Sequence, residues 1–204
     1  MRVGVLASGD GSNLQAILDR LHGREGVEVV AVGSDKPEAR ALERARATGV
    51  DARAFPVQGG DRRARDLAIA DWLAGAGVEL VVLAGYMQLL DPGFLARFPQ
   101  RVINVHPTLL PAFPGIGSIQ QAVDYGVKVI GVTVHFVDEG VDSGPVILQR
   151  EVPIPPDRDR VALENQVHAT EHEVLPAAIR LFAEGRVRVD PENPRLVHID
   201  SGPN

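Results

Sequence analysis

The chain has 204 residues, 45% hydrophobic and 24% charged, with a formal net charge of -6 and no cysteine. That balance describes a single globular domain, not a disordered or membrane chain, and no apolar run approaches the ~20 residues of a membrane helix. Zero cysteines exclude disulfides, thiolate nucleophiles and Cys-based metal sites, and the acidic balance argues against nucleic-acid partners, which require a positive field.

In chain order, Arg2 to Ala7 reads as a buried strand, and the turn-forming run Ser8-Gly9-Asp10-Gly11-Ser12-Asn13 separates it from a helix over 14–21. Asp10, Ser12 and Asn13 also interrupt the first apolar stretch too early for a signal-peptide core, so a cytoplasmic location is expected. The cycle repeats with a strand over 27–32, a helix over 37–47 with Pro37 near its start, and a strand over 51–57. An amphipathic helix over 62–74 and a continuous apolar strand over 80–83 follow. After Asp91-Pro92 comes a short helix, then strands over 101–106, 127–137 and 146–152. The longest helix is expected over 160–184, with Pro176 ending or kinking it. The tail from Arg186 to Asn204 holds two short alternating segments around Pro191 and Pro194, readable as a hairpin. Apolar runs separated by helices predict a single α/β domain over 1–204: a mostly parallel twisted sheet with helices on both faces, Rossmann-like, its first half (about 1–100) binding nucleotide.

A Gly-rich turn between a first strand and a first helix suits a phosphate, because the backbone approaches closely and free helical N–H groups attract an anion. The run Gly9-Asp10-Gly11-Ser12-Asn13-Leu14 lacks the third Gly or Ala of the dinucleotide fingerprint, since Leu14 stands there. Ser12 and Asn13 add side-chain donors, which fits a terminal phosphate better than a pyrophosphate; the bland alternative is a helix cap at Ser12. Asp35 is placed to hold a ribose or, more cheaply, to start the helix at Pro37.

Polar residues end an otherwise apolar strand at Asn104-Val105-His106-Pro107. Residues two apart on a strand share a face, so Asn104 and His106 point together, one an oxyanion donor and the other a proton carrier. The alternative is a capped strand end with a satisfied histidine. Asp142 lies in the loop Val137-Asp138-Glu139-Gly140-Val141-Asp142-Ser143-Gly144-Pro145, where Asp138 and Glu139 read as solvated turn residues. Asp142 differs, because Gly144 and Pro145 at once restart a strand. A carboxylate beside a histidine orients the ring and favours its protonated form, but the sequence does not show that Asp142 and His106 meet. His168-Ala169-Thr170-Glu171-His172 fits H-x-x-E-H, the spacing of a zinc peptidase helix, yet no distant third ligand stands out, and surface or capping histidines are the expected reading.

Several segments together resemble the phosphoribosylglycinamide formyltransferase family: residues 8–17, Leu42-Glu43-Arg44-Ala45-Arg46, Val82-Leu83-Ala84-Gly85-Tyr86-Met87, Asn104 to Pro111, Val134-His135-Phe136-Val137, and Asp142 to Ile147. They run in order over roughly 1–185. The resemblance implies a catalytic trio of Asn104, His106 and Asp142, a ribonucleotide phosphate held by Gly11, Ser12 and Asn13, and Glu171 near the ribose. It implies a second half (about 101–204) that is catalytic and binds 10-formyltetrahydrofolate as co-substrate. The folate would lie over Arg62, Met87, Gln88, Leu89 and Leu90, with Asn104, and over the loop Val137, Asp138, Glu139, Gly140, Val141 and Asp142. His135 would support the site from behind, or serve structure alone. Three departures stand out: Gln88 and Ala112 replace an Arg and a Lys of some relatives, and Gly115-Ile116-Gly117-Ser118-Ile119 lacks a histidine that several carry.

The implied reaction is direct formyl transfer to the amine of glycinamide ribonucleotide in purine synthesis, with Asn104 and protonated His106 stabilising a tetrahedral oxyanion and Asp142 relaying the proton. Small-molecule substrates are the expected partners, with no metal, no nucleic acid and no membrane, in a monomer or homodimer. Formyl-folate hydrolase and methionyl-tRNA formyltransferase share the same trio, but the first is expected to carry an additional N-terminal domain and the second a basic C-terminal one. A non-catalytic nucleotide or folate sensor would keep the phosphate loop and make the trio accidental.

Overall fold

The computed structural model describes residues 1–57, 59–157 and 159–202. In order, the elements are β1 (Arg2–Leu6), α1 (Ser12–Leu21), β2 (Glu28–Ser34), α2 (Arg40–Ala47), β3 (Asp51–Ala54), α3 (Arg62–Gly75), β4 (Leu80–Leu83) and α4 (Pro92–Arg97). Then come β5 (Val102–His106), α5 (Ser118–Tyr125), β6 (Val129–Phe136), β7 (Val146–Pro153), α6 (Arg160–Ala183), β8 (Val187–Val189) and β9 (Val197–Ile199). Seven strands form one mostly parallel sheet in the order β3-β2-β1-β4-β5-β6-β7, and β8 and β9 form the antiparallel C-terminal hairpin. The tail expectation reached residues 203 and 204, which lie outside the described residues.

Two compact units divide the chain, Met1–Asn104 and Val105–Asn204. In the first, β1 pairs in parallel with β2 and β4, β2 with β3, and β4 with β5. Every residue of β4 is buried, the signature of a strand covered on both faces. Strand order reverses at β1, with β2 on one side and β4 on the other, and in such sheets the crevice at that reversal receives the ligand.

The start of α2 and the end of β3 differ from the sequence reading. Helix α2 starts at Arg40, with Pro37 and Glu38 in a turn closed by Ala39 N–H to the Lys36 carbonyl at 3.1 Å. Tertiary structure sets that start: an N–H of the first turn, that of Ala41, donates to the Gly9 carbonyl at 3.2 Å, so α2 begins where it meets the first loop. Asp35 therefore does not start the helix. Strand β3 stops at Ala54 because Pro56, lacking an N–H, cannot extend the ladder.

In the second unit β6 and β7 form an antiparallel ladder from Val129↔Pro153 to His135↔Val146, with a register shift at Val134/His135. Helix α6 runs 24 residues through Pro176, which does not end it. A mid-helix proline costs about 3 kcal/mol. Against this, Val174, Leu175, Pro176, Ala178, Ile179 and Phe182 are all buried, and Phe182 meets Phe136 edge-on with ring centroids 5.7 Å apart. Helix α5 was not foreseen: only 8 residues long, it has no side-chain cap and lies between Gly117 and Gly126, both left-handed.

Candidate active site

The first loop is shaped by Gly11. At φ 78° and ψ 32° it is the residue before α1, and no side chain caps the helix, so Ser12 is not the cap. A Cβ at Gly11 would stand 2.8 Å from the Ala41 backbone, so α2 packs against the loop. Ser12 opens α1, Asn13 is buried behind it, and Asp10 pairs with Arg40 at 3.1 Å and Arg44 at 2.8 Å on the outer side. Gly11, Ser12 and Asn13 thus surround an uncapped helix N-terminus, the element that attracts an anion.

The loop after β4 is laced to this one. Ser8, 4% exposed, accepts the Met87 N–H at 2.9 Å, and Ser8 N–H donates to the Gly85 carbonyl at 3.0 Å. Met87 and Leu89 are exposed at 58% and 60%, large apolar groups held out by a fixed backbone, while Gln88 and Leu90 are half-buried. Gln88 Oε1 accepts from Arg65 at 3.2 Å, and Arg65 is itself buried against Asp66 at 2.8 Å. Asp66 Oδ2 also accepts the Asp91 N–H at 2.9 Å, so one buried ion pair holds both Gln88 and the end of its loop. Arg62 is exposed at the start of α3, one residue after the capping Asp61. A cavity of about 290 Å³ beside Phe55, Pro56 and Arg65 is lined by none of the residues expected from sequence.

Asn104 and His106 end β5 on one face, Asn104 half-buried and His106 buried. Asp142 meets His106: Asp142 Oδ2 lies 3.3 Å from His106 Nδ1, and its Oδ1 lies 3.6 Å from His135 Nε2. The Gly115 N–H donates to Asp142 Oδ2 at 2.8 Å. Burial is the largest influence on the Asp142 carboxyl and works against ionisation. The His135 hydrogen bond, the Gly115 N–H and the His106 charge outweigh it and pull the pKa down to about 2. The register shift at Val134/His135 is where a bulge re-aims a side chain, here that of His135. His106 Nε2 is 2.9 Å from the Phe113 carbonyl oxygen, so both ring nitrogens face acceptors, a setting in which a ring with two N–H donors is fully satisfied.

Below this cluster the Thr108 to Pro111 turn is fixed by Thr133, which is fully buried: its hydroxyl donates to the Thr108 carbonyl at 2.6 Å and accepts the Leu110 N–H at 3.1 Å. In the loop after β6, Val137 is half-buried and Val141 is 51% exposed. Glu139 is exposed, but Asp138 is more than a solvated turn residue: its Oδ1 accepts from Gly140 N–H at 3.0 Å and Ser143 Oγ at 2.5 Å. Of the departures, Gly117 is the left-handed residue preceding α5, and the Ala112 carbonyl accepts from Thr108 Oγ1 at 2.7 Å.

Glu171 is buried on α6 and takes His168 Nδ1 at 2.9 Å; that hydrogen bond, against partial burial, raises the His168 pKa. The H-x-x-E-H run is thus an i,i+3 pair on one helix, and among the described residues no group of three or more His, Cys, Asp or Glu is arranged for a metal. Sequence reasoning gave no role to Arg65, Asp66 and Thr133, and saw Ser8 only as part of the turn run that it opens. Buried polar residues in apolar or helical surroundings were the available signal for the first three, and none of those lies in a recognisable motif.

The formyl transferase family pattern matches residues 1–179. A phosphoribosylglycinamide formyltransferase of Mycobacterium tuberculosis is 44% identical over 191 residues, 92% of this chain and 87% of the relative. The chain belongs to the phosphoribosylglycinamide formyltransferase family. Glycinamide ribonucleotide transformylase 1 from Symbiobacterium toebii, a crystal structure, is 49% identical with a TM-score of 0.92, covering 98% of this chain and 93% of that one. The chain also matches the trifunctional purine biosynthetic protein adenosine-3 of Drosophila melanogaster at 40% identity, spanning 14% of that protein's length. Members of the family are transferases, and no helix among the described residues is long and apolar enough to cross a membrane.

Proposed function

We propose that the chain transfers the formyl group of 10-formyltetrahydrofolate to the amine of glycinamide ribonucleotide. The observation that carries this reading is Asp142, ionised and held 3.3 Å from His106 and 3.6 Å from His135 at the end of the strand that also presents Asn104. The amine nitrogen attacks the formyl carbon, and the carbonyl becomes an oxyanion that Asn104 and the His106 Nε2–H stabilise. His106 Nε2 faces the Phe113 carbonyl oxygen at 2.9 Å, and the oxyanion would take the place of that oxygen as acceptor. Collapse breaks the bond from carbon to the folate nitrogen, which gains a proton as the amine loses one. The His106–Asp142 pair is placed to carry it, a contribution of ~10²–10³ in rate.

The ribonucleotide phosphate is assigned to Gly11, Ser12 and Asn13, supported by the uncapped start of α1, and its ribose to Glu171. The folate is assigned to Arg62, Met87 to Leu90 and Val137 to Asp142, supported by the exposed apolar side chains of Met87, Leu89 and Val141. The test is a spectroscopic assay of 10-formyltetrahydrofolate consumption with and without glycinamide ribonucleotide. Consumption is expected only when both are present. Consumption without the ribonucleotide would make the chain a hydrolase, and none under either condition would remove the catalytic reading.

A further inference from the structure

The C-terminal hairpin lies beyond the segment that carries the family pattern, which ends at residue 179. Its turn is closed from within. Asp190 Oδ1 accepts the N–H groups of Glu192 and Asn193, both at 2.9 Å, and Asp190 Oδ2 pairs with His198 Nε2 at 2.8 Å. Asn193 Oδ1 accepts the Arg195 N–H at 3.1 Å, and the Leu196 N–H returns to the Asn193 carbonyl at 2.8 Å. This ordered turn presents Arg195, whose Nη1 donates to the backbone carbonyl of Ser143.

Ser143 directly follows Asp142, which stands at φ 48°, a left-handed conformation uncommon for non-glycine residues, though aspartate adopts it more readily than most. The chain on the far side is already pinned: a Cβ at Gly144 would lie 1.8 Å from the Phe136 carbonyl oxygen, so the strand it restarts is pressed against β6. Asp138 ties the near side through Gly140 and the Ser143 hydroxyl. Those restraints come from within the loop and the strand it leaves. Arg195 reaches the loop from the tail, and it donates to the carbonyl of the residue next to Asp142.

We propose that Arg195 is a positioning residue that holds the Asp142 loop in its left-handed form and keeps the carboxylate on His106. This rests on the reading of Asp142 as catalytic. The test compares Arg195→Ala, Arg195→Lys and Asp142→Asn in the full chain by kcat, both KM values and Tm. Loss of alignment at a distance from the chemistry should lower kcat of Arg195→Ala roughly tenfold, with each KM within about twofold of wild type. Lysine keeps one donor for a carbonyl and should restore roughly threefold of that loss. If Asp142→Asn loses turnover but Arg195→Ala stays within about twofold of wild-type kcat, the positioning role is overturned while the site reading stands. A loss that follows Tm and that lysine does not relieve would overturn it too, making the hairpin a structural brace. Full turnover in Asp142→Asn would overturn both.

Discussion

The loop after β1 takes its left-handed turn from one glycine of its own, whereas in the loop after β6 the carboxylate of Asp142 takes its partners from elsewhere in the chain. In the first, Gly11 alone supplies the left-handed turn and leaves the start of α1 uncapped. In the second, a left-handed aspartate is met by a glycine N–H 27 positions earlier and by two histidines on separate strands, and the carbonyl of the next residue, Ser143, accepts from Arg195. A loop of the first kind tolerates little change in backbone but considerable change in side chains. A loop of the second kind depends on charge and partners that are distant in sequence.

The largest effect is expected at the second loop. Replacing His106 with Ala should lower kcat by roughly 10²–10³-fold while changing each KM little, measured by steady-state kinetics. An equal loss in kcat/KM from KM alone would move His106 to substrate binding. At the first loop the large effect is structural. Gly11→Ala meets both an unfavourable φ and the Ala41 backbone at 2.8 Å, so urea unfolding should show a loss of about 3 kcal/mol. A loss below about 0.5 kcal/mol would show that α2 yields easily.

Acid should separate the loops next. The folded pKa of Asp142, about 2, is below its ordinary 3.8, so its ionisation contributes stability that is present above about 3.8 and lost as pH falls through about 2. That contribution is about 2 kcal/mol. The stability gap between wild type and Asp142→Asn should therefore stay level from neutrality to about pH 4 and close below it. A gap that does not change with pH would deny the carboxylate its partners. The smallest effect belongs to Ser12→Ala, which on the proposed assignment removes one hydrogen bond to a remote phosphate and should raise KM for the ribonucleotide about fivefold with kcat nearly intact.

The same contrast explains what was legible in the sequence. Apolar runs at strand and helix spacing give nearly every element, because β1, β4 and β6 are buried along most of their length and have one possible role. Local chemistry likewise marks the first loop by its glycines, and marks the pairing of Asn104 with His106 by strand alternation. What lay beyond reach was set by contacts distant in sequence. The start of α2 depends on the Gly9 carbonyl, and the passage of α6 through Pro176 depends on what its face buries. The charge of Asp142 depends on His135 and Gly115, and no periodicity links those residues.

The central claim is that Asp142 and His106 act as one unit, and a double-mutant cycle on kcat tests it most directly. His106→Ala, Asp142→Asn and the double variant are compared with wild type at one pH. If both side chains, 3.3 Å apart, serve one proton, the double variant should be little slower than His106→Ala alone. If the two losses multiply instead, the residues contribute independently and the coupled pair is contradicted.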